Sequence, residues 1–302
     1  MQAGPSDGKS FAPGVVLATV GAIAFSGKAI IVKLAYRYQV DAVTLIMLRM
    51  LFALPLFMVM AWWAGRGKPA LTRRDWFGVA GLGFSGYYLS SFLDFAGLAY
   101  ITAGLERLIL YLNPTLVLLL GWLLYRRRIT RWQALGMAIS YAGALVVFGH
   151  EVRIGEASAT AWGTLLVFLS AVSYAVYMIA SGEFVKRLGS LRLVGLATSV
   201  ACVLCIVQFL VLRPLGSVQT LAPAVIWLSL LNAVVCTALP VLAVMMAIER
   251  IGPAMAAQTG MVGPVSTILM GVVILGEPFT AWTATGTLLV IAGIFVFTRT
   301  GR

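Results

Sequence analysis

Apolar runs of about twenty residues recur along the whole chain, interrupted only by short groups of Pro, Gly and charged residues. A hydrocarbon core of roughly 30 Å takes about that many helical residues to cross. Breaking the pattern at its interruptions predicts ten helices, at about 14–36, 41–64, 75–99, 102–125, 131–149, 160–185, 191–213, 221–248, 252–275 and 280–298. Their connections are short, so neighbours run antiparallel. Residues 1–13 are polar and rich in Gly and Pro, and read as a short tail. The run behind them is longer than the apolar part of a signal peptide, and no small-residue cleavage site closes it. The expected fold class is an all-α integral membrane protein.

Composition agrees: 61% of the 302 residues are hydrophobic and 11% charged, too little charge to cover a soluble domain. The net charge of +12 raises a nucleic-acid role, and the placement of the charges argues against it. With ten spans both termini share a side. That side carries Lys9, Arg66, Lys68, Arg73, Arg74, Arg126, Arg127, Arg128, Arg131, Lys186, Arg187, Arg192, Arg250, Arg299 and Arg302. The other side carries Arg37, Arg153 and Arg213. Such a bias over short loops places both termini in the cytoplasm. Cys202, Cys205 and Cys236 lie within apolar runs and read as small buried hydrophobes, so no metal and no cofactor is expected.

Displacing the chain by 150 residues lays Pro114 on Pro264, Gly121 on Gly271, Thr130 on Thr280, Trp132 on Trp282, Gly136 on Gly286 and Ala142-Gly143 on Ala292-Gly293. A weaker echo links "GVVLATVGAIAF" with "GTLLVFLSAVSY". The pattern predicts two five-helix repeats, 14–149 and 160–298, with an external loop at 150–159 and a cytoplasmic tail at 299–302. An odd number of spans forces the second repeat upside down. The loop after the fourth helix should then be cytoplasmic and basic and its counterpart should not, as "YRRRITRW" and "LGEPFTAW" are. Inverted repeats are a transporter device, two mirrored halves opening alternately around a midplane site.

The segment "GPVSTILMGVVILGEPFTAWTATGTLLVIAGI" resembles the ninth and tenth helices of the drug/metabolite transporter superfamily, in its ten-helix EamA-type branch. "NPTLVLLLGWLLYRRRITRWQALGMAISYAGA" repeats the pattern, and "LSAVSYAVYMIAS" resembles the family's sixth helix. The first copy has Arg127 where the family often has the turn glutamate, present here as Glu277, which favours a cap or turn role for that residue. The chain is closest in look to YddG-like exporters. That resemblance implies alternating-access efflux of aromatic and other neutral amino acids and their analogues, in the inner membrane of a bacterium.

Polar residues within spans must face protein or water. Tyr87, Ser91 and Asp94 share one face of the third helix, as do Glu106, Asn113 and Val117 on the fourth, and Ser170, Tyr174, Tyr177 and Ser181 on the sixth. With Asn232 and Gln258, the tyrosines, Ser91, Asn113 and Ser181 are candidates for a cavity that takes a zwitterion with an apolar side chain. Lys28, Arg49, Asp94, Glu106 and Arg107 fall in the outer half of the bilayer, as a gate, an ion-paired anchor or a site of proton coupling. Pro114 and Pro264, with Gly260 and Gly263, are candidate hinges, because each proline removes a backbone donor and frees a carbonyl. The expected partners are a small-molecule substrate and the lipid bilayer, and a monomer suffices. The alternatives are a broad drug or metabolite exporter, then a nucleotide-sugar or sugar-phosphate exchanger with Lys28 and Arg49 as its anion site. A channel or a membrane enzyme is more remote. An enzyme would need a carboxylate cluster or a catalytic histidine, and the ten acidic residues are scattered and the sole histidine is His150.

Overall fold

A computed structural model describes residues 8–126, 129–154, 156–260 and 262–299. They form helices and no strand. In order these are α1 (Gly8–Tyr36), α2 (Ala42–Gly65), α3 (Arg73–Gly83), α4 (Ser90–Leu98), α5 (Ala103–Leu110), α6 (Asn113–Tyr125) and α7 (Arg131–Ile154). There follow α8 (Ala157–Leu188), α9 (Ser190–Leu212), α10 (Pro223–Ala233), α11 (Leu239–Gly260), α12 (Val262–Met270) and α13 (Ala281–Arg299). Among the described residues, seven helical stretches are long and apolar enough to cross a membrane, and Val262–Leu275 and Ala281–Phe297 are shorter apolar ones. All eight tryptophans are exposed. Trp62, Trp63, Trp76, Trp122 and Trp132 lie near one end of the bundle and Trp162, Trp227 and Trp282 near the other, as amphipathic rings do at the two interfaces of a bilayer. The protein is an integral membrane protein.

Several boundaries differ from the apolar pattern. α1 reaches back to Gly8, through part of the expected tail. α7 runs on to Ile154 and α8 begins at Ala157, so most of the loop expected at 150–159 is helix. A predicted turn at 249–251 falls inside α11, yet the chain does reverse there. Along α1, Gly14 lies against Arg250 and Ile251, Gly21 against Val244 and Pro240, and Gly27 against Cys236. Beyond the reversal Ala256 packs with Ala18, Gly263 lies beside Ser26, and Arg37 donates to the Leu275 carbonyl at 2.9 Å.

Two spans are broken in the middle by one π-helical turn each. Phe84–Leu89 separates α3 from α4, and Val234–Ala238 separates α10 from α11. A π turn widens the backbone ladder and leaves carbonyls without their usual donor. Side chains supply the donors here. Ser173 donates to the Ser85 carbonyl and Ser170 to that of Ser90, both at 2.7 Å, and Thr237 donates to the Asn232 carbonyl at 2.8 Å.

Helix contacts pair up at the same 150-residue interval. Gly136 packs on the backbone of Gly293, and Gly143 on that of Gly286. Gly27 lies against Cys236, and Gly86 against the Tyr177 ring. The two mid-span π turns begin 150 residues apart, and α6 and α12, the latter through a third π turn at Gly271–Leu275, lead to left-handed residues, Arg126 at φ 52° and Gly276 at φ 73°.

At the end that carries Glu277, Asp41 caps α2 by accepting from Val43 N at 3.0 Å, and it pairs with Arg213 at 3.3 Å. Glu277 accepts from Ala103 N at 2.9 Å, and Glu151 accepts from the Thr102 hydroxyl, so two carboxylates stand at the positive N-terminus of α5. The turn glutamate is thus a cap, in line with the role its sequence context favours; Arg127 lies outside the described residues. At the opposite end Thr72 and Asp75 form a capping box for α3, and Arg187 of α8 pairs with Asp75.

Candidate functional site

Five buried charged side chains meet between α1, α2, α4 and α5. Lys28 Nζ lies 2.5 Å from Asp94 Oδ2 and 3.4 Å from Glu106 Oε1. Glu106 is 0% exposed, Asp94 2%, and Lys28, Arg49 and Arg107 are all buried. A lone charge at this depth would cost several kcal/mol, so the first question is how each is compensated. Lys28 neutralises Asp94 and is shared with Glu106. Arg49 donates to Ser91 Oγ at 3.1 Å and lies 4.6 Å over the Phe95 ring. Arg107 donates to Thr267 Oγ1 at 2.9 Å and to the Phe25 carbonyl at 3.2 Å. Among the described residues, neither guanidinium has a carboxylate within ion-pair distance. The buried atoms Arg49 Nε, Asp94 Oδ1 and both Glu106 oxygens have no hydrogen-bond partner among them. Unused donors and acceptors of both signs therefore stand close together.

Tyr87, Ser91 and Asp94 reach three different helices. Tyr87 Oη lies 3.1 Å from Tyr177 Oη of α8, Ser91 accepts from Arg49 of α2, and Asp94 takes Lys28 of α1. The π turn that contains Tyr87 changes the phase of this face, which spreads the contacts around one axis. Tyr177 and Tyr174 have ring centroids 5.4 Å apart, and the Tyr87 ring meets Tyr177 edge-on at 5.1 Å. The three rings form one aromatic wall. Ser181 spends its hydroxyl on the Met178 carbonyl of its own helix. Asn232 donates to the Lys28 carbonyl at 3.4 Å, and its Oδ1 is without a partner among the described residues. The side chain of Gln258 lies outside the described residues.

The fourth predicted span breaks at Tyr111–Leu112, so Glu106 on α5 and Asn113 on α6 do not share one continuous face. The cause is Pro114, which withholds a donor from the Leu110 carbonyl. Asn113 Nδ2 supplies it at 2.9 Å. Pro264 likewise withholds a donor from the Gly260 carbonyl, and here Tyr111 Oη donates at 2.7 Å from the other half of the chain. Tyr111 was not singled out in the sequence pattern. Its signal was its place just ahead of Asn113-Pro114, opposite a carbonyl that Pro264 was bound to free. A Cβ on Gly263 would collide with Tyr111 Oη, so Gly263 is needed for this approach. Pro264 is buried and Pro114 exposed, so the prolines of the two halves have different surroundings. Tyr111→Phe keeps the ring and leaves the Gly260 carbonyl without that donor. It should cost about 1 kcal/mol in thermal unfolding of the purified protein. No loss would mean that water serves that carbonyl equally well.

Two hollows mark the surface. One, of about 570 Å³, is lined by Arg73, Trp76, Phe77 and Ala80. The other, of about 500 Å³, lies between α12 and α13 and is lined by apolar residues with Thr287. Neither of these two touches the charged cluster.

The EamA-like transporter family model matches the chain twice, over residues 12–149 and 161–299. The chain belongs to the EamA-like transporter family. It is 28% identical over 276 residues to the uncharacterized transporter YcbK of Bacillus subtilis (strain 168), covering 88% of this chain and 86% of that protein. An uncharacterized transporter of Archaeoglobus fulgidus is 22% identical over 274 residues, 91% of this chain and 93% of its own. A crystal structure at 19% identity superposes with a TM-score of 0.65, covering 94% of this chain and 98% of that one, which is a likeness of fold alone. This member of the EamA-like family is a membrane transporter, and its partners are the bilayer and a small-molecule substrate.

Proposed function

We propose that this transporter exports small zwitterions, foremost aromatic and other neutral amino acids and their analogues, by alternating access across a bacterial inner membrane. The observation that carries the reading is the pairing of unused charges. Arg49 is a buried guanidinium with no carboxylate partner among the described residues, and Asp94 and Glu106 keep free oxygens beside a single lysine. A guanidinium suits a substrate carboxylate, and the aspartate and glutamate oxygens suit its ammonium. Tyr87, Tyr174 and Tyr177 offer ring faces and hydroxyls to an apolar or aromatic side chain. An anion exchanger would want a second uncommitted cation beside Arg49, whereas Lys28 is paired with Asp94 and Arg107 is held by Thr267 and the Phe25 carbonyl.

Alternating access rests on the proposal that the chain is ten spans in two inverted repeats. Its support is the double match of the family model and the contacts that recur at an interval of 150 residues. An antiparallel pair such as α7 and α13, in which Gly136 meets Gly293 and Gly143 meets Gly286, is what a two-fold axis in the membrane plane produces. The excess of Lys and Arg on one set of loops supports cytoplasmic termini. Pro114, Pro264, Gly260 and Gly263 would then be the places where half-helices swing.

The test is uptake into proteoliposomes of phenylalanine, leucine, a sugar phosphate and a cationic drug. Phenylalanine and leucine should enter faster than into empty liposomes, and Arg49→Gln should raise the KM for both. Uptake of the drug or the sugar phosphate with no amino-acid uptake would replace this substrate assignment.

A further inference from the structure

The buried charges between α1, α2, α4 and α5 do not cancel. Lys28, Arg49 and Arg107 face Asp94 and Glu106, three cations against two carboxylates, and all five are buried. A guanidinium keeps its proton in a protein, so neither arginine sheds its charge. A carboxyl group that took up a proton would only widen the excess. A net positive charge enclosed among apolar helices is costly unless an anion accompanies it.

Hydrogen bonds show where the surplus lies. Lys28 is paired with Asp94 at 2.5 Å and reaches Glu106 at 3.4 Å. Arg107 spends Nε on Thr267 Oγ1 and Nη2 on the Phe25 carbonyl. Arg49 is left. Its Nη2 donates to Ser91 Oγ at 3.1 Å, and its Nε has no partner among the described residues. Ser91 accepts that bond and keeps its own O–H to donate. The titratable groups that face Arg49 are Asp94, which belongs to Lys28, and three thiols, Cys202 and Cys205 of α9 and Cys236 of the π turn Val234–Ala238. Met50 Sδ lies 4.0 Å from Arg49 Nη2, and the Phe95 ring centroid 4.6 Å from its Cζ. Buried thiols, a thioether and a phenyl ring bring no negative charge. Cys236 is also in electrostatic reach of Lys28 and Arg107, which sets it among all three cations. Arg49 and Cys236 are each 4% exposed, so a ligand between them must be small. Ser91 is only half-buried, which leaves a side of Arg49 from which an ion can approach.

We propose that Arg49 and Ser91 form a binding site for a small monovalent anion, chloride foremost, which neutralises the surplus charge of the cluster when no substrate is bound. The Arg49 N–H and Ser91 O–H groups donate to the ion, and the neighbouring thiols are weak further donors. The ion is monovalent because the excess is a single charge, and small because the surroundings are packed. Sulfur atoms and a ring replace a hydration shell poorly, so an ion that holds its water loosely enters at less cost. Bromide should therefore bind at least as tightly as chloride, and fluoride far more weakly. The same guanidinium is assigned above to the substrate carboxylate, so anion and substrate exclude one another there. That competition rests on the reading that the substrate bears a carboxylate, while the anion site itself does not.

Equilibrium dialysis of the purified full-length protein against radioactive chloride, in sulfate buffer, tests the site without a substrate. The wild type should bind chloride saturably, and bromide should displace it where equal fluoride does not. Arg49→Gln should lose the binding. Ser91→Ala removes a donor and no charge, and should weaken it several-fold. Cys236→Asp sets a fixed carboxylate among the three cations. It should bind no chloride and melt no lower than the wild type in chloride-free buffer, although a buried aspartate ordinarily destabilises. A wild type that binds no chloride overturns the proposal. So does binding that survives in Arg49→Gln or is unchanged in Ser91→Ala, and so does a Cys236→Asp protein that melts well below the wild type. In proteoliposomes, chloride in place of sulfate should raise the KM for phenylalanine several-fold and leave the maximal rate unchanged; a KM indifferent to chloride overturns the competition. Failure of the wild type to carry phenylalanine at all removes the amino-acid reading, and the dialysis still decides the anion site.

Discussion

Lys28→Met is expected to lower the stability of the purified protein by about 3–5 kcal/mol and to abolish transport, since it leaves the Asp94 carboxylate buried with no counter-charge. The side chain is of similar length, so little packing is lost and the effect reports charge. The double variants identify which carboxylate suffers. Asp94→Asn added to Lys28→Met should recover most of the loss, because a neutral amide and a thioether then stand where an ion pair stood. Glu106→Gln added to Lys28→Met should recover less, because Lys28 stands 2.5 Å from Asp94 and 3.4 Å from Glu106. Thermal unfolding in one detergent across the four proteins measures the coupling directly. Equal rescue by either carboxyl variant would mean that Lys28 compensates both residues to the same degree.

Gly143→Leu is the second large effect. A Cβ at Gly143 would stand 2.6 Å from the Gly286 carbonyl oxygen and 2.9 Å from Val290 N, both backbone atoms of α13. Backbone in a helix cannot turn aside as a side chain can, so α7 and α13 must separate. Overpacking of this kind costs typically about 1–3 kcal/mol, and the bulk of leucine puts the result at the upper end. Gly143→Ala should be milder. Combining it with Gly286→Ala should cost less than the sum of the two singles, because one separation of the helices serves both. Gly149 on the same helix has no atom within 4 Å of its would-be Cβ. Gly149→Ala should therefore be neutral or stabilise by about 0.5–1 kcal/mol through the reduced entropy of the unfolded chain. If Gly143→Leu unfolded at the wild-type temperature, the close crossing of α7 and α13 would be wrong.

Much of the architecture was legible in the residue pattern because membrane solvent leaves few options. Every backbone polar group in a hydrocarbon must be satisfied within its own segment or by a neighbour, so long apolar runs can only be helices. The pairs Pro114 with Pro264 and Gly143 with Gly293 could be read as recurring positions. What could not be read was the crossing: Gly143 meets Gly286, and Gly136 meets Gly293. Helix ends were less legible. α7 continues through His150 and Glu151 because both find partners there, Trp282 and Thr102, far away in sequence. The stripe drawn through Glu106 and Asn113 assumed a straight helix, and the break at Tyr111–Leu112 divides it.

The candidate site divides in the same way. By itself the sequence determined that charges and tyrosines lie within spans, that their neighbours must be protein or water, and that two prolines each free a carbonyl. These follow from the cost of polar groups in lipid, which depends on residue type and depth alone. The tertiary structure decided the partners. It gave Lys28 to Asp94 ahead of Glu106, left Arg49 without a carboxylate among the described residues, and set Tyr111 on the carbonyl freed by Pro264. An ion pair or a hydrogen bond is settled by differences of about an ångström between helices distant in the chain. No local pattern carries distances of that kind; the packing of one helix on another does.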